Sequence, residues 1–170
     1  MKIGVLSDTH DNLVYIKKAV NLFNREKTDL VLHAGDFVSP FTALEFLNLN
    51  CTFAGVFGNN DGDKLYLRER FENIGQLYPA PYITKVNQRN IVMLHKEKLI
   101  DALIKSQKYE IIIYGHTHRL DLRKIGKSLI VNPGECGGWL TGRRTIALLH
   151  TDKLKAKIID LADEKTIVDI

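Results

Sequence analysis

The sequence predicts an α/β fold in which two sheets pack face to face with helices outside, and three observations lead there. Short apolar runs alternate with helical periodicity to give βαβαβ over the first part of the chain. Mixed helix and hairpin patterns follow. Polar and ionisable residues recur where the apolar runs stop, the end of a strand at which open α/β sheets bind ligands.

Each element has its own signal. Lys2-Ile3-Gly4-Val5-Leu6-Ser7 reads as a buried strand running into Asp8-Thr9-His10. Leu13, Ile16, Ala19, Val20 and Phe23 share one helical face, which predicts a helix over about 12–26. Leu30-Val31-Leu32 is a second strand, ending in His33-Ala34-Gly35-Asp36. Ser39 and Pro40 suit the N-cap and first turn of a helix carrying Phe41, Leu44 and Leu47. The strand Phe53 to Phe57 runs into Gly58-Asn59-Asn60-Asp61-Gly62-Asp63, the third such loop in the same place.

A short helix is expected over about 64–73. Tyr78-Pro79-Ala80-Pro81-Tyr82 is irregular, because proline removes donors and restricts its neighbour, and it is a candidate joint between two halves of the core. Tyr82 to Val86 and Ile91 to Leu94 form a predicted hairpin ending in His95. A helix over 97–107 and a strand over 111–114 follow, the latter ending in Gly115-His116-Thr117-His118. Two more hairpins pair Leu120–Ile125 with Ser128–Val131, and Thr145–His150 with Leu154–Ile159.

A length of 170 residues fits one domain, 1–170, able to bury roughly two thirds of its unfolded surface. The 24 Lys/Arg against 20 Asp/Glu leave a formal charge of +4, a modest field that favours anionic substrates without marking a nucleic-acid surface. Cys51 and Cys136 make neither a disulfide framework nor a zinc ribbon. No apolar run approaches ~18 residues and nothing resembles a signal peptide, so the expectation is a cytoplasmic protein without a membrane partner. A homo-oligomer is left open.

Collected, the strand ends offer Asp8, His10, His33, Asp36, Asn59, Asn60, Asp61, His95, His116 and His118; of the six histidines only His150 lies elsewhere. Gathered in one crevice, the carboxylates would repel unless cations intervened. Carboxylates and imidazoles with a carboxamide, and no thiolate, suit Mn, Fe, Co, Ni or Zn better than they suit a structural zinc site. Two ions roughly 3.5–4 Å apart would make phosphoester hydrolysis the expected chemistry, with a metal-activated hydroxide as nucleophile.

Asp8-x-His10, Gly35-Asp36, Gly58-Asn59-Asn60-Asp61, His95 and Gly115-His116-x-His118 together resemble the calcineurin-like metallophosphoesterases. The resemblance covers essentially the whole chain and is nearest the small single-domain branch of bacterial and archaeal phosphodiesterases. It implies a four-layer α/β/β/α sandwich with two mixed sheets. It also implies two divalent ions, Mn²⁺ or Ni²⁺ foremost, with Co²⁺, Fe²⁺ or Zn²⁺ as alternatives. Carried over by residue, Asp8, His10 and His118 would hold one ion, Asn59, His95 and His116 the other, and Asp36 both.

Asn60 and His33 complete the expected catalytic set, Asn60 by steadying developing charge and His33 by packing behind the ligands or by touching substrate. Asp61 would hold Asn59 or Asn60, or satisfy turn amides. Relatives commonly have His in place of Asn60, and an amide cannot act as a general acid. Slow turnover and a preference for activated diesters are therefore expected. Relatives also often have Gly-His after the strand-end histidine where this chain has Lys96-Glu97, so Lys96 could reach a phosphate and Glu97 could serve the next helix's first turn.

The expected substrate is a small phosphodiester, including cyclic nucleotides. A nuclease is the next reading, although no dedicated nucleic-acid-binding region is evident. The fold also resembles the phosphoesterase-like subunit of retromer, so an interaction scaffold is the alternative of a different class. A retained ligand set argues against it.

Overall fold

The computed structural model describes residues 1–170. A seven-stranded sheet has β1 (Lys2–Leu6) near its centre, with β2 (Leu30–His33), β3 (Thr52–Val56) and β4 (Gln76–Tyr78) running parallel on one side. On the other side β10 (Thr145–His150), β11 (Lys155–Asp160) and β12 (Thr166–Asp169) continue antiparallel. The second, five-stranded sheet is ordered β5 (Tyr82–Val86), β6 (Arg89–Met93), β7 (Ile111–Ile113), β9 (Ser128–Pro133), β8 (Leu120–Ile125). Its three middle strands are parallel and its two edges are antiparallel, so both sheets are mixed.

Strand alternation divides the apolar residues among three cores. Ile3 and Val5 of β1 meet Ile91, Met93, Ile111, Ile113 and Val131 between the sheets. Leu6 turns the other way, against Ile16, Val20 and Phe23 of α1 (Leu13–Arg25). Val92 and Ile112 leave the inter-sheet core for Ile100 and Ile104 of α4 (Ile100–Ser106). The layers are thus helix, sheet, sheet, helix, the four-layer sandwich that the strand pattern and the resemblance implied. Tyr78-Pro79-Ala80-Pro81-Tyr82 passes from the edge of one sheet to the edge of the other, as a joint should.

The region after β2 departs from expectation. The helix there is a 3₁₀ turn, Pro40–Thr42, followed by the four-residue α2 (Ala43–Phe46). Its buried face is not the expected one: Phe41, Leu44 and Leu47 are 48%, 50% and 57% exposed, while Thr42, Ala43 and Phe46 are buried. Phe46 is drawn in by an aromatic cluster with Phe37, Phe53 and Phe71, the last from α3 (Lys64–Phe71). Burying each such ring stabilises by roughly 1.5–3 kcal/mol, more than a helical stripe on four residues can offer. Ser39 takes the expected N-cap position with Pro40 in the first turn, but its side chain makes no capping bond: its amide and hydroxyl both donate to Asp11.

Strands β4 and β12 are additions to the predicted set. They are short edge strands whose residues alternate too little to be read alone. Expected residues 97–107 divide into a 3₁₀ turn, Glu97–Leu99, and α4, with Glu97 in the first turn.

Candidate metal centre

The carboxyl ends of β1, β2, β3 and β7 and the end of β6 converge, and their loops leave in sharp turns. Asp8, His10, Asp36, His116 and His118 all have φ between +39° and +66°. Left-handed backbone in residues of this kind costs free energy and persists where the surroundings over-determine it. Glycine supplies the close approach. A Cβ on Gly115 would lie 1.9 Å from Ser7 Oγ, and one on Gly58 would lie 2.0 Å from Asp36 Oδ1.

Two clusters result, Asp8, His10 and His118, and Asp36, His95 and His116; within each, one side-chain atom per residue lies within 4.8 Å of the others. The first is built around a buried carboxylate. Asp8 Oδ2 accepts from Ser7 Oγ at 2.6 Å and from the His116 amide at 3.0 Å, while Oδ1 has no hydrogen-bond partner. Burial pushes its pKa up, against the lowering effect of Ser7. Nε2 of His118 is 3.4 Å from Oδ1, and the buried Nε2 of His10 is also unpartnered. His118 Nδ1 is 2.9 Å from Glu135 Oε2, which can only accept, so the proton sits on Nδ1 and the Nε2 lone pair faces Asp8.

The second cluster repeats this logic with different partners. His95 Nδ1 is 2.8 Å from the Ala34 carbonyl, again an acceptor, which leaves Nε2 directed at Asn59 Oδ1 (3.1 Å) and Asp36 Oδ2 (3.3 Å). With Nε2 deprotonated, this nitrogen and the two oxygens face one another as acceptors, an arrangement that a proton on Nε2 or a metal cation among them would satisfy. Asp36 Oδ2 is also 3.5 Å from His10 Nε2, which puts this carboxylate between the clusters. Burial raises its pKa, but the neighbouring His95 ring and the hydrogen bonds from Asn60 outweigh burial and hold it well below the carboxylate range.

All seven expected ligands are therefore together, while His33 keeps only the packing role of its two expected ones and Asn60 is engaged with Asp36. His33 is fully buried, stacked on Phe37 with centroids 3.6 Å apart, so it cannot touch substrate. Its Nδ1 accepts from the Gly35 amide and its Nε2 faces the Thr9 hydroxyl, so it fastens the β1 and β2 loops as a neutral ring. Burial pushes its pKa well down, consistent with that form. Asn60 donates to Asp36 through its amide at 2.8 Å and its carboxamide at 2.7 Å, so it steadies a candidate ligand. Asp61 satisfies turn amides, those of Val38, Gly58 and Asp36.

Glu135 is the residue to which the sequence assigned no role, although the resemblance puts Asn132-Pro133-Gly134-Glu135 near the site. Besides His118, it accepts from the amides of Trp139, Leu140 and Thr141 and from the Thr141 hydroxyl. Despite opposing burial, these bonds keep its pKa low. The available signal was a lone carboxylate between Asn-Pro-Gly and Cys-Gly-Gly, a run with no surface character. The loop it holds presents Trp139, 65% exposed, whose indole donates to the His10 carbonyl at 3.0 Å. Trp139 thus borders the site. Cys136 is buried with its thiol pKa pushed up by burial, unsuited to a nucleophile.

Comparison with known proteins agrees with this geometry. Residues 1–154 match the model of the calcineurin-like phosphoesterase superfamily domain. Phosphodiesterase MJ0936 of Methanocaldococcus jannaschii is 40% identical over 165 residues, covering 95% of this chain and 99% of that protein. The solved structure of an archaeal phosphodiesterase superposes with a TM-score of 0.90 at 39% identity, covering 94% of this chain and 99% of that one. A Vps29 mutant from Entamoeba histolytica, 19% identical with a TM-score of 0.75 over 100% of this chain and 99% of that one, shares the fold. The chain belongs to the calcineurin-like phosphoesterase superfamily.

Proposed function

We propose that this protein is a metal-dependent phosphodiesterase acting on small phosphodiesters. The observation that carries this reading is the convergence of lone pairs from two clusters with Asp36 between them. Asp8, His10 and His118 would hold one divalent ion, Asn59, His95 and His116 the other, and Asp36 both. A pair of ions bound there supplies Lewis acidity toward a phosphate oxygen and a water of lowered pKa. The donor set of oxygen and imidazole nitrogen fits Mn²⁺ or Ni²⁺, with Co²⁺, Fe²⁺ or Zn²⁺ also compatible.

The rest is done by the chain. Glu135 and the Ala34 carbonyl hold His118 and His95 in the tautomer that leaves Nε2 free, and Asn60 keeps Asp36 oriented and ionised. Asn60 is an amide and His33 is buried, so neither serves as a general acid for a leaving alkoxide. Activated diesters are the favoured substrates for that reason.

The test is hydrolysis of bis-p-nitrophenyl phosphate beside p-nitrophenyl phosphate, using chelator-stripped protein titrated with each metal. Restored cleavage favouring the diester, with loss of roughly a thousandfold in Asp36→Asn, is expected. Folded protein that stays silent with every metal overturns the reading.

A further inference from the structure

Beside the second cluster lies a groove of about 640 Å³ that shares Asn59 and His95 with it. The volume is within the roughly 300–1,000 Å³ of small-molecule sites. Its apolar walls include Phe57 and Leu99, the latter 51% exposed at the lip. Three lysines, Lys64, Lys96 and Lys98, face it, and no carboxylate lines it. The lysines that do form ion pairs are others, Lys2, Lys127 and Lys165. Lys64 Nζ lies 5.8 Å from the Phe57 ring centroid, and the Arg68 guanidinium is 5.7 Å from the same ring. An exposed cluster of unpaired cations around an aromatic floor is self-repelling, and an anion would relieve it.

We infer that this groove is the subsite for one alcohol arm of the substrate, and that the arm carries a further phosphate besides the one hydrolysed. The inference rests on the phosphodiesterase reading for what happens at the centre, and on the groove alone for what is recognised. The apolar floor takes the ring of the arm while Lys64, Lys96 and Lys98 take its phosphate. A nucleotide unit with a terminal phosphate has this chemistry.

The probes are thymidylyl-thymidine with and without a 5′-terminal phosphate, titrated calorimetrically into metal-free protein. The phosphorylated probe should bind roughly tenfold tighter, as expected of a few surface charge pairs. That advantage should vanish in Lys64→Ala/Lys96→Ala/Lys98→Ala and shrink in the single variant Lys96→Glu. Bis-p-nitrophenyl phosphate, which has no second phosphate, should lose far less in the triple variant than the phosphorylated probe does. Equal affinity for the two probes, or an advantage undiminished in the triple variant, overturns the subsite. An equal loss of bis-p-nitrophenyl phosphate hydrolysis in that variant also overturns it, because the lysines would then serve the centre. If no diester is cleaved by any form, the proposed function fails while the affinity ratio still decides the groove.

Discussion

The two halves of the centre solve one problem with different materials. Around Asp8, the histidine is fixed by a carboxylate, Glu135, and two buried polar atoms are left without partners. Around Asp36, the histidine is fixed by a backbone carbonyl, and the carboxamides of Asn59 and Asn60 have closed onto His95 and Asp36. The first half carries more negative charge and more unmet hydrogen-bonding need, so an ion gains most there. The second half must exchange existing bonds for an ion. The difference predicts unequal affinity for two ions of one kind.

The sharpest way to break the comparison is Glu135→Gln. It keeps the shape but removes the charge behind His118, and should lower affinity for the first ion and the diesterase rate by roughly 10–100-fold. Biphasic metal titration of the rate checks it: the tighter phase should weaken while the looser phase stays. Equal weakening of both phases would mean that the halves are not separately supported.

A smaller effect is expected from Asn60→Ala, which acts on the other half. Losing one hydrogen bond to Asp36, with the amide bond retained, should cost about 1 kcal/mol, roughly a fivefold fall in rate. The change should be confined to the looser phase of the same titration.

The candidate ligands of both halves were legible in the sequence, because each lies at the polar stop of an apolar run. What supports them was much less so. Glu135 acts on His118 through a fold-level approach of β9 to β7, and no local spacing records that pairing. His33 looked like its neighbours in the chain and differs only because Phe37 folds back over it. The inverted face of residues 40–47 has the same origin, since the aromatic cluster that buries Phe46 draws on β3 and α3. Periodicity reports an element's own stripe, whereas packing with distant partners decides which side is used.

Cys136→Ala should change least. The thiol is buried beside the first half, and its nearest polar partner is the Tyr15 carbonyl at 3.8 Å, so it offers neither half a ligand. Metal-restored activity should stay within about twofold, with stability lower by roughly 1 kcal/mol in urea unfolding, an ordinary cost for a small core truncation. A selective loss of the tighter metal phase would instead give the thiol a part in the first half.

The pairing of β1 with β10 bears on how the molecule is made. The register joins Lys2 to His150 and Val5 to Ala147, so the strand that leads into Asp8 gains its second neighbour from far along the chain. A growing polypeptide has all seven candidate ligands once His118 has emerged, yet β1 remains an open edge until Thr145–His150 follows. Closing so long a loop is an entropic cost met late, and contacts of this separation slow folding. Completion of the ligand set and completion of its scaffold are therefore separate events during synthesis, the second waiting on the C-terminal hairpin.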